Sequence, residues 1–301
     1  MNKNVSLLAI SYVFGFTAAT ITVFLSGIIG SQIASIKSLA TLPTALTVVG
    51  TAVFAALAAK IMSKIGRKLG FILASLASSI TCLLAAYAIY DRNFILFCVA
   101  NLILGACMAF THQYRFAAAE SVEKDKAPKA ISIIMLSGIV AAFLGISSAN
   151  YTKDIFTDFQ YVGSYITLAI FMFMPTIFFL FYENKNISEI EISKNHTGRN
   201  YFEIIFQPRF LQAVIAAAFA YAIMSFLMTA TPMSMHLMEK MSLEKTGLVL
   251  QIHVAAMFLP SLITGHLIKK LGHSNIIYLS LIHISEPTRP ERIAYAGVGF
   301  K

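Results

Sequence analysis

Thr111, His112 and Arg115 stand at spacings of three and four near the end of one apolar run, so on an α-helix they share a face. A hydroxyl, an imidazole and a guanidinium there could bind a polar solute. The imidazole could also carry a proton near neutral pH. His253 is the other histidine well inside a long apolar run, which makes it a second candidate for proton coupling. Each group also has a plainer use: a guanidinium near a helix end can snorkel to lipid headgroups, and an intramembrane histidine can be a hydrogen-bonded structural group. Tyr12 and Thr17 in the first run, with Tyr221 and Thr229 in the seventh, complete the substrate-cavity candidates. Ser and Thr are also common glue between membrane helices.

The elements that position these groups are membrane spans. The chain has 301 residues, 57% hydrophobic and 12% charged, with a mean hydropathy of +0.74. A soluble domain carries about 25% charged residues. Eight runs are long enough to cross a bilayer as helices: 5–29, 39–59, 70–90, 94–117, 130–150, 161–182, 209–231 and 246–268. The expected fold class is therefore an all-α polytopic membrane protein. No small-residue cleavage site follows the first run at signal-peptide length, so it reads as a retained span. Cys82, Cys98 and Cys107 lie inside apolar runs without metal-ligand spacing, and the expectation is no metal, no cofactor and no catalytic residue.

Charge sets the orientation. Alternate loops hold Lys3; Lys60, Lys64, Arg67 and Lys68; Arg115, Lys124, Lys126 and Lys129; Lys185, Lys194, Arg199 and Arg209; and Lys269 and Lys270. The opposite loops hold only Lys37, Arg92, Lys153, Lys240 and Lys245. This roughly three-to-one bias places the N-terminus in the cytoplasm. The net charge of +9 is spread over short loops rather than gathered in one patch, which speaks against a nucleic-acid partner. All 14 acids fall in loops, at helix ends or in the tail. A buried carboxylate is thus missing as a proton carrier, and a membrane-embedded enzyme has no catalytic constellation to use.

The organisation reads as a six-helix bundle over 1–182, a cytoplasmic linker over 183–208 and an incomplete second bundle over 209–279. A short amphipathic helix is expected around 201–206. The tail, 280–301, contains Ser285-Glu-Pro-Thr-Arg-Pro-Glu-Arg292, where two prolines stop a ninth span after about ten residues. It looks like a translated sequencing adapter, so the expectation is a truncated frame. The loop around Ser63, Lys64, Gly66, Arg67 and Lys68 is echoed by that around Gly265, Lys270 and Gly272. Aligning Gly66 with Gly272 carries 5–29 onto 211–235, the seventh span. A glycine in such a basic turn lets the chain reverse tightly.

With these loops the chain resembles the major facilitator superfamily, and the further blocks Gln113–Glu120, Met228–Pro232 and Gln251–His266 resemble a poorly characterised bacterial branch of it. Gly66, Arg67 and Lys68 match the family loop between helices 2 and 3. Ala59 and Ser63 replace its first Gly and its Asp, so the resemblance implies a cytoplasmic latch that is weaker or built differently here. The resemblance also implies two bundles, a cavity lined by helices 1, 4 and 7, and location in a bacterial inner membrane. It further implies secondary-active transport of a small organic solute by alternating access, with protons as a candidate coupling ion. Asn101 stands where drug antiporters of the family carry an Arg, and Ile146 where their helix 5 carries a Pro, which lowers the expectation of drug/proton antiport. The rival reading is a transport-inactive sensor or scaffold on the same fold. The expected partners are the solute, the lipid bilayer and the coupling proton; oligomeric state is left open.

Overall fold

Backbone amides in hydrocarbon have no water to bond, so apolar runs of this length close their hydrogen bonds within helices. The computed structural model of the chain describes residues 2–123, 125–184, 206–263 and 271. Its helices are α1 (Lys3–Ile33), α2 (Leu42–Ile65), α3 (Arg67–Tyr90), α4 (Phe94–Thr111), α5 (Tyr114–Glu120), α6 (Ala127–Thr152), α7 (Val162–Leu180), α8 (Pro208–Met233) and α9 (Leu243–Phe258). Among the described residues eight helical stretches are long and apolar enough to cross a membrane, α4 and α5 together making one of them. The expected tail, the short helix at 201–206 and the loop at Gly265, Lys270 and Gly272 lie outside the described residues.

Two details depart from uninterrupted spans. The fourth is broken at His112–Gln113, where Gln113 N–H bonds back to Phe110 O in a tightened turn and the helix restarts at Tyr114. The seventh passes Pro232 and ends in a π-helical turn, Ser234–Met238. Proline removes a backbone donor and crowds the preceding turn, which favours such a loosened register.

The chain divides into two units, 1–185 with 229–262, and 186–228 with 263–301. In the second, the described residues are chiefly the first part of α8, mostly exposed and apolar. In the first unit α1 is the central helix and contacts each of α2 to α7. Its Leu8, Ala18, Ile21, Phe24, Leu25 and Ile28 are wholly buried. Around it α2 packs chiefly on α4, α3 on α7, and α6 on α1. The α2–α4 crossing is close because Gly50 and Gly105 face backbone carbonyls, those of Leu102 and Thr47, which a Cβ would strike. Near the N-terminal face Phe71, Tyr114, Phe179 and Tyr182 form an edge-to-face aromatic cluster joining α3, α5 and α7.

Asn101 supplies the polar counterpart on the other half of the unit. It is fully buried. Its Oδ1 accepts from Ser26 and Thr47, each at 3.3 Å, and its Nδ2 donates to Phe97 O at 2.8 Å. Ser26 also meets the Tyr165 hydroxyl at 2.9 Å. Four helices, α1, α2, α4 and α7, are thus joined at one side chain. Replacing Asn101 with Leu leaves the Ser26 and Thr47 hydroxyls short of an acceptor, and we expect a loss of about 1 kcal/mol. A lowered thermal midpoint in detergent checks this, with Val99→Ala, on an exposed face, as the control that stays near wild type.

Candidate functional site

The helix break places the sequence candidates unequally. Thr111 is buried, packed by its methyl against Gly15 at about 3.0 Å from an added Cβ, and its hydroxyl is within hydrogen-bond reach of Tyr114. Thr17 is also buried: it donates to Phe14 O at 2.5 Å and packs against Gly145. Both threonines are therefore engaged inside the protein. The Tyr12 ring is buried in the core as well, while His112 and Arg115 are half-buried. The Tyr12 ring meets that of Tyr114, the residue before Arg115, edge-on with centroids 6.4 Å apart. The Arg115 Cζ stands 4.9 Å above the Phe116 ring, and its Nε is buried without a hydrogen-bond partner among the described residues. Tyr12 stacks on Phe16 with centroids 5.1 Å apart, and Phe16 meets Phe258 of α9 edge-on at 5.6 Å.

His253 lies on the exposed face of α9, away from the buried Leu250, Gln251 and Val254 that meet α6. Thr229 is half-buried late in α8. Tyr221 lies on the exposed part of α8 that belongs to the second unit. Gln251 carries a contact that reasoning from residue types passed over: its Nε2 donates to Ser147 Oγ at 2.9 Å and to Phe143 O at 3.3 Å, tying α9 to α6. The signal was its place at the head of the block Gln251–His266.

The loop between α2 and α3 is built on the N-terminal face. Gly66 caps α2 and starts α3 with φ +83°, a conformation that favours glycine. Ser63 bonds to Lys60 O, and Lys64 is exposed. Arg67 grips Glu120 with two bonds of 2.6 and 2.5 Å, a bidentate geometry that favours Arg over Lys. Lys68 N–H donates to Asn184 Oδ1 at 3.0 Å and its Nζ to Leu180 O at 2.6 Å. Beside it Asn4 Nδ2 donates to Glu183 O while Glu183 N–H donates back to Asn4 Oδ1, and Lys3 pairs with the Glu183 carboxylate at 2.6 Å. The Lys3 ammonium holds the Glu183 carboxyl below its usual range. A lowered carboxyl favours the folded state above its unfolded pKa and loses that contribution as pH falls through the folded one.

A family model described as Major Facilitator Superfamily matches residues 6–285. The chain belongs to the major facilitator superfamily. Its similarity to a riboflavin transporter of Brucella anthropi is 33% identity over 94% of this chain and 71% of that protein. Two uncharacterized MFS-type transporters of Bacillus subtilis, YddS and YdeG, are each 25% identical, over 92% and 90% of this chain and 66% of their own lengths. No solved structure matches significantly. The chain is thus an integral membrane protein of a transporter family, whose relatives are transporters rather than enzymes.

The Arg67–Glu120 pair yields a direct test. Reversing one charge, Arg67→Glu, should destabilise the N-terminal face by about 0.5–1 kcal/mol, and the exchange Arg67→Glu with Glu120→Arg should recover part of it. Thermal midpoints of the single and double variants check this. In the same assay below pH ~4, where carboxylates become protonated, Lys3→Ala should cost less than at pH 7, because the Glu183 contact is already lost.

Proposed function

We propose that this protein is a secondary-active transporter that moves a small organic solute by alternating access. The observation that carries the reading is the family match over residues 6–285, together with the packing of Tyr12 of α1 edge-on against Tyr114, which stands between His112 and Arg115 in the chain. Those polar groups stand in membrane spans of a transporter-family chain, where a polar side chain without a partner points to use by a ligand or an ion. The bundle of 1–182, the linker of 183–208 and the second bundle beginning at 209 supply the two bodies that alternate. The N-terminus lies in the cytoplasm of a bacterium, on the strength of the basic loops that share its side of the inner membrane. The Arg67–Glu120 and Lys68–Asn184 contacts then belong to the cytoplasmic face.

The riboflavin transporter among the relatives makes a flavin the first solute to test. Proteoliposomes holding the protein should accumulate radiolabelled riboflavin above empty liposomes. Binding and no accumulation or counterflow points to a sensor on the same fold and overturns the transport reading. His112 and His253 are the proposed proton carriers. Uptake by the His112→Gln, His253→Gln double variant should lose its pH dependence. A pH profile identical to that of the wild type overturns the coupling assignment.

A further inference from the structure

Close helix approaches in this chain are of two kinds. Within the first six spans, Gly30, Gly50, Gly105 and Gly163 sit against backbone carbonyls, those of Ala40, Leu102, Thr47 and Thr152, which no side-chain motion can clear. The approaches of α8 and α9 to those spans differ, although 229–262 belong to the same unit. Gly27 of α1 meets the Met233 Sδ at 3.0 Å from an added Cβ, and Gly138 of α6 meets the Phe258 Cε2 at 2.8 Å. Gly247 of α9 meets the Ile146 Cγ2 at 2.7 Å and the Asn150 Nδ2 at 2.9 Å. In each case the nearest atoms across the seam belong to side chains, which can withdraw by a change of rotamer. Gln251 adds a polar contact to the seam: its Nε2 donates to Ser147 Oγ at 2.9 Å and to Phe143 O at 3.3 Å. Asn150 works against it. Its Oδ1 is buried with no hydrogen bond among the described residues, a cost that the closed seam carries and that water removes once the seam parts.

The seam has a definite place. α6 begins beside the N-terminal face, where Ser121 O accepts from Asn2 Nδ2 at 2.6 Å. Its contacts with α9 run from Gly138, near its middle, to Asn150, near its far end. Phe24 and Gly27, which meet Gly247 and Met233, likewise lie toward the far end of α1. We propose that this seam is a gate on the face opposite the N-terminus, and that the Gln251 amide is the catch that holds it shut until it parts during transport. This rests on the transport reading and names the surface that opens in its cycle. The catch is built to release. Two bonds from a neutral amide stand where Gly50 and Gly105 have interlocked backbones. The π-helical turn Ser234–Met238 and Lys240, with φ +54°, put irregular backbone between α8 and α9, where a hinge is needed. The bonds of Gln251 and the hydration of Asn150 oppose each other. The shut and parted states therefore stay close in free energy, within reach of the differential affinity of a solute.

The experiment reads the width of the seam without any solute. Nitroxide labels on Tyr151→Cys of α6 and Leu248→Cys of α9, both exposed positions, report it by electron spin resonance on the protein in phosphatidylcholine nanodiscs. The native cysteines are buried. A second pair, on the exposed positions Val53→Cys and Ile103→Cys, spans α2 and α4. With no further change the first pair should give mainly one short separation. Gln251→Leu should raise the fraction at longer separations roughly fivefold, the factor for one net hydrogen bond, and Ser147→Ala should raise it by less. Adding Asn150→Leu to Gln251→Leu should bring that fraction back down. Gly247→Ala should also widen the seam, and adding Ile146→Ala should relieve it. The Val53–Ile103 separation should hold in every variant, which a general loss of packing would not allow. An unchanged first separation in both Gln251→Leu and Gly247→Ala overturns the proposal, as does equal widening of the two pairs. A seam that widens as expected in a protein that accumulates no solute leaves the catch standing and the transport reading refuted. Solute uptake with a seam that never widens leaves transport standing and the gate refuted.

Discussion

Inside a bilayer a polar group cannot fall back on water, so the protein must satisfy it or leave it for something that arrives. That constraint sorts the hydroxyls, amides and cations of this chain into two sets. Ser26, Thr47, Asn101 and Tyr165 satisfy one another and draw four helices together. Thr17 and Thr20 turn back on their own helix, bonding to Phe14 O and Thr17 O. Arg115 Nε and Asn150 Oδ1, which have no hydrogen bond among the described residues, belong to the other set. His112 and Arg115 flank the tightened turn at Gln113.

The same sorting separates the two arginines that border the fourth span. Arg67 and Arg115 both lie near Glu120 in the chain or in space, and a carboxylate with two oxygens fits one guanidinium fork well. Arg67 holds it from the turn created by Gly66. This fixes the loop between α2 and α3 against the end of α5, although Ser63 stands where the family's acid would be. The contacts on this face are made by Arg67, Glu120 and Lys68, while Ser63 bonds to Lys60 O.

Much of this was legible in the residues. Apolar runs of bilayer length gave the spans, because length and hydropathy are local properties. Gly66 announced its turn, because only glycine takes φ +83° without strain. The family was readable from the Gly66-Arg67-Lys68 loop and its echo. What could not be read was pairing between helices. The spacing of Thr111, His112 and Arg115 suggested one shared face, yet Thr111 is buried against Gly15 while His112 and Arg115 are half-buried. Glu120 as the partner of Arg67, and Gln251 as the partner of Ser147, both depend on distances across the bundle. Residue type alone is silent on those. Asn101 shows the same limit: its place in the run identified a polar residue, and only packing shows it to be a four-helix junction.

The paired amide bonds between Asn4 and Glu183 have a mechanical meaning. They fasten the start of α1 to the residues just past α7, so the six-span body is closed end to end, like a barrel hoop rather than an open stave row. Tension arriving along the chain beyond Asn184 does not peel α7 away first. It passes through the two amides into α1, the helix that touches every other in the body, and so loads the whole bundle at its axis.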